Sequence, residues 1–186
     1  QDCFWIFGNS VSLNFELVPS IVGNLKYAIL EYDYKFCKFR SLEKHKEETG
    51  EDCDCDTTQL GKLISAFYYG AERIFWMSSK QEEIWIQKFP FLEMKGRVLG
   101  SVFSKQDIEM LEFLKGGSND VETWLVQYSE SWIKGTQDAV RWCEDNELGC
   151  ELFSGLSRSE LLNKMYASKG FCFLPRGGDT CPRVVI

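Results

Sequence analysis

Three loops in the second half of the chain carry residue types suited to an anionic ligand. The first runs from Ser129 to Lys134-Gly135. The second is Ser154-Gly155-Leu156-Ser157, and the third runs from Arg176 through Gly177, Gly178, Asp179 and Thr180 to Cys181. Each follows a short apolar run that reads as a strand, and in an open parallel sheet ligands bind where loops leave the carboxyl ends of strands. A lysine at a helix start, backbone N–H groups at helix N-termini and a glycine-bearing loop can together hold a diphosphate. The glycines let the backbone approach the anion, while the helix dipole and Lys134 offset its charge. Lys134 and Arg176 are therefore candidate phosphate ligands.

Cysteine and histidine suggest a second chemistry. Cys53-Asp54-Cys55 invites a metal or redox reading, and the single histidine, His45, lies nearby in a charged stretch. C-x-C lacks a second ligand pair at zinc-like spacing, and one histidine with two cysteines does not close a site. No metal is expected on that reading. Other cysteines stand in apolar company: Cys3 in Cys-Phe-Trp-Ile-Phe, Cys172 in Gly-Phe-Cys-Phe-Leu. Such thiols behave as small buried hydrophobes. Eight cysteines in 186 residues is about 4%, below the density of a disulfide scaffold. A reducing, cytoplasmic setting is expected, and a secreted disulfide-linked domain is its rival.

The elements that must position these loops follow from periodicity. Asp2–Gly8 reads as a short buried strand, and Tyr27–Phe39 begins as a second, aromatic-rich one. Glu43–Asp56 is almost wholly polar and reads as a solvated loop. Leu60–Tyr69 places apolar residues at 60, 63, 64, 67 and 68, which is helical spacing. Arg73–Met77 is a third strand. Ser78 or Ser79 caps a helix whose apolar residues at 84, 86 and 89 suit one face, and Pro90 ends it. Arg97–Val102 is a fourth strand. Residues 103–121, ending in Gly116-Gly117-Ser118-Asn119-Asp120, read as a linker. The pattern then restarts: strand Trp124–Tyr128, helix Lys134–Asn146, strand Glu151–Phe153, a capping box at Ser157-Arg-Ser-Glu160 opening a helix to Ser168, and strand Gly170–Pro175. Alternating strand and helix is parallel α/β grammar.

At this point the spacing resembles a known family. Trp132-Ile133-Lys134-Gly135 before a helix is similar to the Lys-Gly motif of group 1 (family 4-like) glycosyltransferases. Leu152-Phe153-Ser154-Gly155-Leu156-Ser157-Arg158-Ser159-Glu160-Leu161 resembles their F-x-G-x-x-x-x-E-L strand–loop–helix. Met165-Tyr166-Ala167-Ser168, followed by Phe173-Leu174-Pro175-Arg176-Gly177-Gly178-Asp179, resembles their Y-x-x-A … P-S-x-x-E stretch. Gly70-Ala71-Glu72-Arg73-Ile74-Phe75-Trp76-Met77-Ser78 is similar to their A-D-x-V-x-x-x-S strand. The resemblance runs in order from about residue 60 to 186.

The resemblance implies a GT-B-like α/β fold made of parts of two Rossmann-like domains with parallel sheets, incomplete at both ends. Residues 1–102 would be the later part of an N-terminal, acceptor-side domain, and 122–186 the start of the donor domain. The chain ends on Pro182-Arg183-Val184-Val185-Ile186, which reads as a cut through an element. The family's paired acids would fall at Asp179 and at position 187, just past the last residue. An arginine that the family often carries before its lysine is replaced by Ser129, and Arg176 is placed to supply the missing cation.

Such an enzyme moves a sugar from a nucleotide-sugar donor to an acceptor, with retention and without a bound metal or other cofactor. Transfer requires fixed positive groups at the leaving diphosphate and a firmly oriented sugar. Lys134 and Arg176 fill the first role. Asp179, the catalytic candidate beside Lys134, would grip sugar hydroxyls or the ribose. Gly155 and Leu156 offer backbone groups to the base, and Ser129, Gly177, Gly178 and Thr180 complete the donor side. Asp33 ends an apolar strand on the acceptor side, where a plain turn or surface carboxylate is the competing reading. Expected partners are the nucleotide sugar and a sugar or lipid-linked acceptor, the latter bringing the enzyme to the membrane surface.

Composition sets limits on both readings. The net charge is −7, from 21 Lys and Arg against 28 Asp and Glu. That argues against a phosphate-tracking nucleic-acid binder, whose affinity comes largely from cationic contacts. No apolar run reaches the roughly 18 residues of a membrane span. The rival in function is a non-catalytic α/β binding or interaction module.

Overall fold

The computed structural model describes residues 3–8, 10–100, 103–114 and 121–178. They form α/β structure with two separate parallel sheets, as the alternating grammar requires. The chain divides into two compact units, the first within residues 1–101 and the second within 102–176, with Gly177 and Gly178 grouped with the first.

In the first unit, β1 (Phe4–Gly8), β2 (Lys26–Glu31), β3 (Arg73–Trp76) and β4 (Gly96–Val98) lie side by side in chain order, all parallel. Parallel neighbours need crossovers. These are α1 (Val18–Asn24) between β1 and β2, α2 (Leu42–Thr49) and α3 (Gln59–Gly70) between β2 and β3, and α4 (Ser79–Lys88) between β3 and β4. α3 buries Ile64, Phe67 and Tyr68, the stripe its apolar spacing defines, and Thr58 caps it by accepting from the Gly61 N–H. Ser78 caps α4 by accepting from the Gln81 N–H.

The core of this unit is aromatic. Tyr68 stacks on Trp85 with ring centroids 4.4 Å apart, Tyr27 stacks on Phe67 at 5.2 Å, and Phe36 meets Trp85 edge-on at 4.9 Å. Such pairs add about 0.5–1.5 kcal/mol each beyond the area they bury.

Three expectations are corrected here. β1 is not a buried strand: Phe4, Trp5 and Ile6 are 53%, 51% and 67% exposed, because β1 is a sheet edge paired only with β2. α4 buries Gln81 and Trp85, with Ile84 and Ile86 only partly covered. Gln81 is drawn inside because its amide reaches the Met77 N–H and the Asp33 carbonyl. Residues 43–56 are not a solvated loop either. They contain most of α2, capped by Ser41, which accepts from the Lys44 N–H, and closed by left-handed Gly50.

In the second unit, β5 (Trp124–Gln127) is central, flanked by β6 (Cys150–Phe153) and β7 (Gly170–Cys172), all parallel. α6 (Thr136–Asp145) links β5 to β6, and α7 (Arg158–Tyr166) links β6 to β7. The stretch read as a linker contains α5 (Lys105–Leu114), whose Asp107 pairs with Arg158 of α7 at 3.3 Å. α6 buries Ala139 and Cys143 against Val126 and Cys172. The capping box at Ser157 and Glu160 is formed as expected, each side chain accepting the other's backbone N–H.

Candidate functional site

The strand order β6-β5-β7 means the chain leaves β5 to one side and returns to the other. The carboxyl end of β5 is thus a topological switch point, where diverging loops leave a crevice. A hollow of about 340 Å³ lies there. It is lined by the segment that follows β5, including Ser129, Glu130, Trp132, Thr136 and Gln137, and by Arg176 from beyond β7.

Local hydrogen bonding holds this segment. The Thr136 hydroxyl donates toward the Gln127 carbonyl at 2.8 Å and accepts from the Ser129 N–H at 3.0 Å, tying the strand end to the helix start. Residues 132–134 form a single 3-10 turn, and Gly135 follows it at φ +60. A Cβ on Gly135 would stand 1.8 Å from the Leu174 carbonyl oxygen, so only glycine lets the segment after β7 pass this close. Lys134 therefore precedes α6 and does not lie within it. α6 has no side-chain cap, and the N–H groups of its first turn have no acceptor within the helix.

Arg176 is held from two sides. Its guanidinium makes a paired contact with the Asp138 carboxylate, with Nη2 2.8 Å from Oδ1, and lies 5.9 Å from the centre of the Trp132 ring. The guanidinium holds the Asp138 carboxyl below its ordinary range.

The expected donor residues divide accordingly. Ser129 and Arg176 line the hollow; Lys134 lies in the same segment but outside that lining. Gly155 and Leu156 lie on the loop after β6 and are not among the lining residues either. Gly177 and Gly178 group with the first unit. Asp179 and Thr180 lie outside the described residues. Glu130, Thr136 and Gln137 line the hollow without having been singled out from the sequence, although the position of Thr136 just after a Lys-Gly pair was a usable signal.

In the first unit, Asp33 follows β2 and is tied into a cluster of charges. Its carboxylate is 3.5 Å from Lys35 and 3.3 Å from Arg40, and its carbonyl accepts from Gln81 and Trp85. Beside it Glu31 is fully buried, with one oxygen accepting from Lys35 and from the Asp33 N–H and the other left without a partner. Burial pushes the Glu31 carboxyl up to about 7, against the pull of the Lys35 ammonium. Glu31 gives no local signal of this burial, because a carboxylate at the end of a strand of Lys, Tyr, Ala, Ile and Leu looks like an exposed turn residue.

The set of described residues able to hold a metal is also in the first unit. Cys37, His45, Cys53 and Cys55 are all buried, and their ligand atoms lie within 4.8 Å of one another. Cys37 stands alone among Tyr, Lys and Phe residues in the sequence, with no second ligand at metal-binding spacing beside it. β2 ends at Glu31, and the chain then turns so that Cys37 faces His45. The described cysteines are free thiols.

Among the described residues no helix is long and apolar enough to cross a membrane. Compared with protein-family models, curated proteins and solved structures, the chain matches none.

Proposed function

We propose that the chain is part of a glycosyltransferase whose second unit binds the diphosphate of a nucleotide-sugar donor. The observation that carries this reading is the hollow at the switch point of the second sheet. There an uncapped helix start, Ser129, Thr136 and Arg176 converge on one space. The ordered motif resemblance from about 60 to 186 supports it independently.

As the bond from the sugar to the diphosphate breaks, negative charge grows on the leaving group. Backbone N–H groups at the start of α6 and the Arg176 guanidinium, already fixed by Asp138 and Trp132, stabilise that charge without reorganising. Glu130 supplies an acceptor for sugar or ribose hydroxyls. Retention of configuration at the sugar, and a lipid-linked or sugar acceptor, belong to the same proposal.

The test is a thermal-shift and calorimetry panel of UDP, GDP, ADP and inorganic phosphate on the intact chain, with Arg176→Ala alongside. One nucleoside diphosphate should raise Tm, by the equivalent of about 2.7 kcal/mol at a hundred times its Kd. Arg176→Ala should weaken that shift at least about tenfold in Kd, since charge-assisted contacts are the strong ones. Absence of any shift at millimolar ligand defeats the reading. Binding without turnover of any nucleotide sugar leaves the non-catalytic module in its place.

A further inference from the structure

α2 is a helix with very little to bury. Its sequence is Leu-Glu-Lys-His-Lys-Glu-Glu-Thr, and His45 is its one buried residue. A surface helix is normally fastened by an apolar stripe, and here only Leu42 packs on the core beside an imidazole at 4% exposure. Three cysteines surround it. The Cys37 and Cys55 sulfurs each stand 3.6 Å from His45 Nδ1, and the Cys53 sulfur lies within 4.8 Å of all three ligand atoms.

These distances are those of a cage around one small cation. Zn–S bonds of about 2.3 Å and Zn–N bonds of about 2.0–2.1 Å, at tetrahedral angles, separate sulfur from nitrogen by about 3.6 Å. The set supplies four protein ligands and leaves no position for water, which is the arrangement of a structural rather than a catalytic zinc. We propose that Cys37, His45, Cys53 and Cys55 form a four-coordinate structural zinc site that staples the excursion between β2 and α3 to the first unit.

Binding one Zn²⁺ releases the three thiol protons to solvent and leaves a site of net charge −1, with His45 ligating through Nδ1 and keeping its proton on Nε2. The surroundings hold the ligands in place. Lys88 donates to the Cys53 carbonyl and pairs with Asp56 at 2.9 Å. Gly61 on α3 lets the Cys55–Asp56 backbone lie against the helix, where a Cβ would stand 2.2 Å from the Cys55 carbonyl oxygen. The thiols of the second unit differ. Cys143 and Cys172 sit among Val126 and Ala139, without a histidine in the group, as ordinary buried thiols do.

The experiment is elemental analysis of the intact chain purified from zinc-supplemented medium, followed by exchange with Co²⁺. One equivalent of zinc and a tetrahedral cobalt–thiolate spectrum are expected. A strong chelator should strip the metal and lower Tm by at least about 10 °C. Cys37→Ser and His45→Ala should each lose the bound zinc, while Cys143→Ala should keep the full equivalent. Should the ligand variants not fold, the wild-type zinc content, the cobalt spectrum and protection of the three thiols from alkylation decide the matter alone. Less than a tenth of an equivalent of zinc with no cobalt spectrum, a disulfide among Cys37, Cys53 and Cys55, or a full equivalent retained by Cys37→Ser would overturn the proposal.

Discussion

Replacing Glu31 by Gln separates two opposing effects at one buried carboxylate. Burial disfavours the charged form; the Lys35 ammonium, held against Oε1, favours it. The carboxyl stands raised from 4.5 to about 7, so burial wins. At about 1.4 kcal/mol per pH unit that rise corresponds to about 3 kcal/mol. The sign follows from proton counting. Between pH 4.5 and about 7 the folded chain keeps a proton that the unfolded chain has released. Stability from this group is therefore whole below 4.5 and lost as pH climbs through about 7. Glutamine imitates the protonated carboxyl and does not titrate. Glu31→Gln should match the parent chain near the acid end of the range and exceed it by about 3 kcal/mol above about pH 8. The assay is urea unfolding at a series of pH values, read by hydrogen exchange of peptides from β2 and β3, so that the first unit is followed by itself. If Glu31→Gln is instead less stable by a similar amount at about pH 8, the attraction of Lys35 outweighs desolvation and the reasoning fails.

Two further substitutions test the elements around the hollow. Gly135→Ala combines a left-handed backbone with a Cβ 1.8 Å from the Leu174 carbonyl oxygen. It should cost about 3 kcal/mol in chemical denaturation of the second unit and abolish any nucleotide-induced Tm shift. Ser157→Ala removes half of the capping box at α7 and should cost about 1 kcal/mol, read as faster hydrogen exchange in the first turn of that helix with nucleotide binding unchanged.

Much of the architecture was legible because it is specified locally. The apolar spacing of α3, the cap at Ser78, the capping box at Ser157 and the short apolar runs of β2, β3, β5 and β6 each depend on residues within a turn or two. The errors share a cause. Polar residues 43–56 read as solvated, although most of α2 lies among them, because a helix held by Leu42 and His45 alone shows no apolar period. β1 read as buried because an apolar run looks the same at a sheet edge as at its centre. Trp85 lies off the face that the apolar positions at 84, 86 and 89 define. The aromatic cluster around Tyr68 and Phe36 decides otherwise.

The candidate sites divide along the same line. By itself the sequence determined which chemistries were present: a Lys-Gly turn before a helix, an arginine after a strand, and three cysteines and the single histidine within residues 37–55. Only the tertiary structure decided which of them meet. Arg176 reaches the start of α6 because β7 pairs with β5 on the side away from β6, and Cys37 reaches His45 because the chain turns after Glu31. Proximity between residues distant in the chain is set by strand order and packing, which no local pattern of residues encodes.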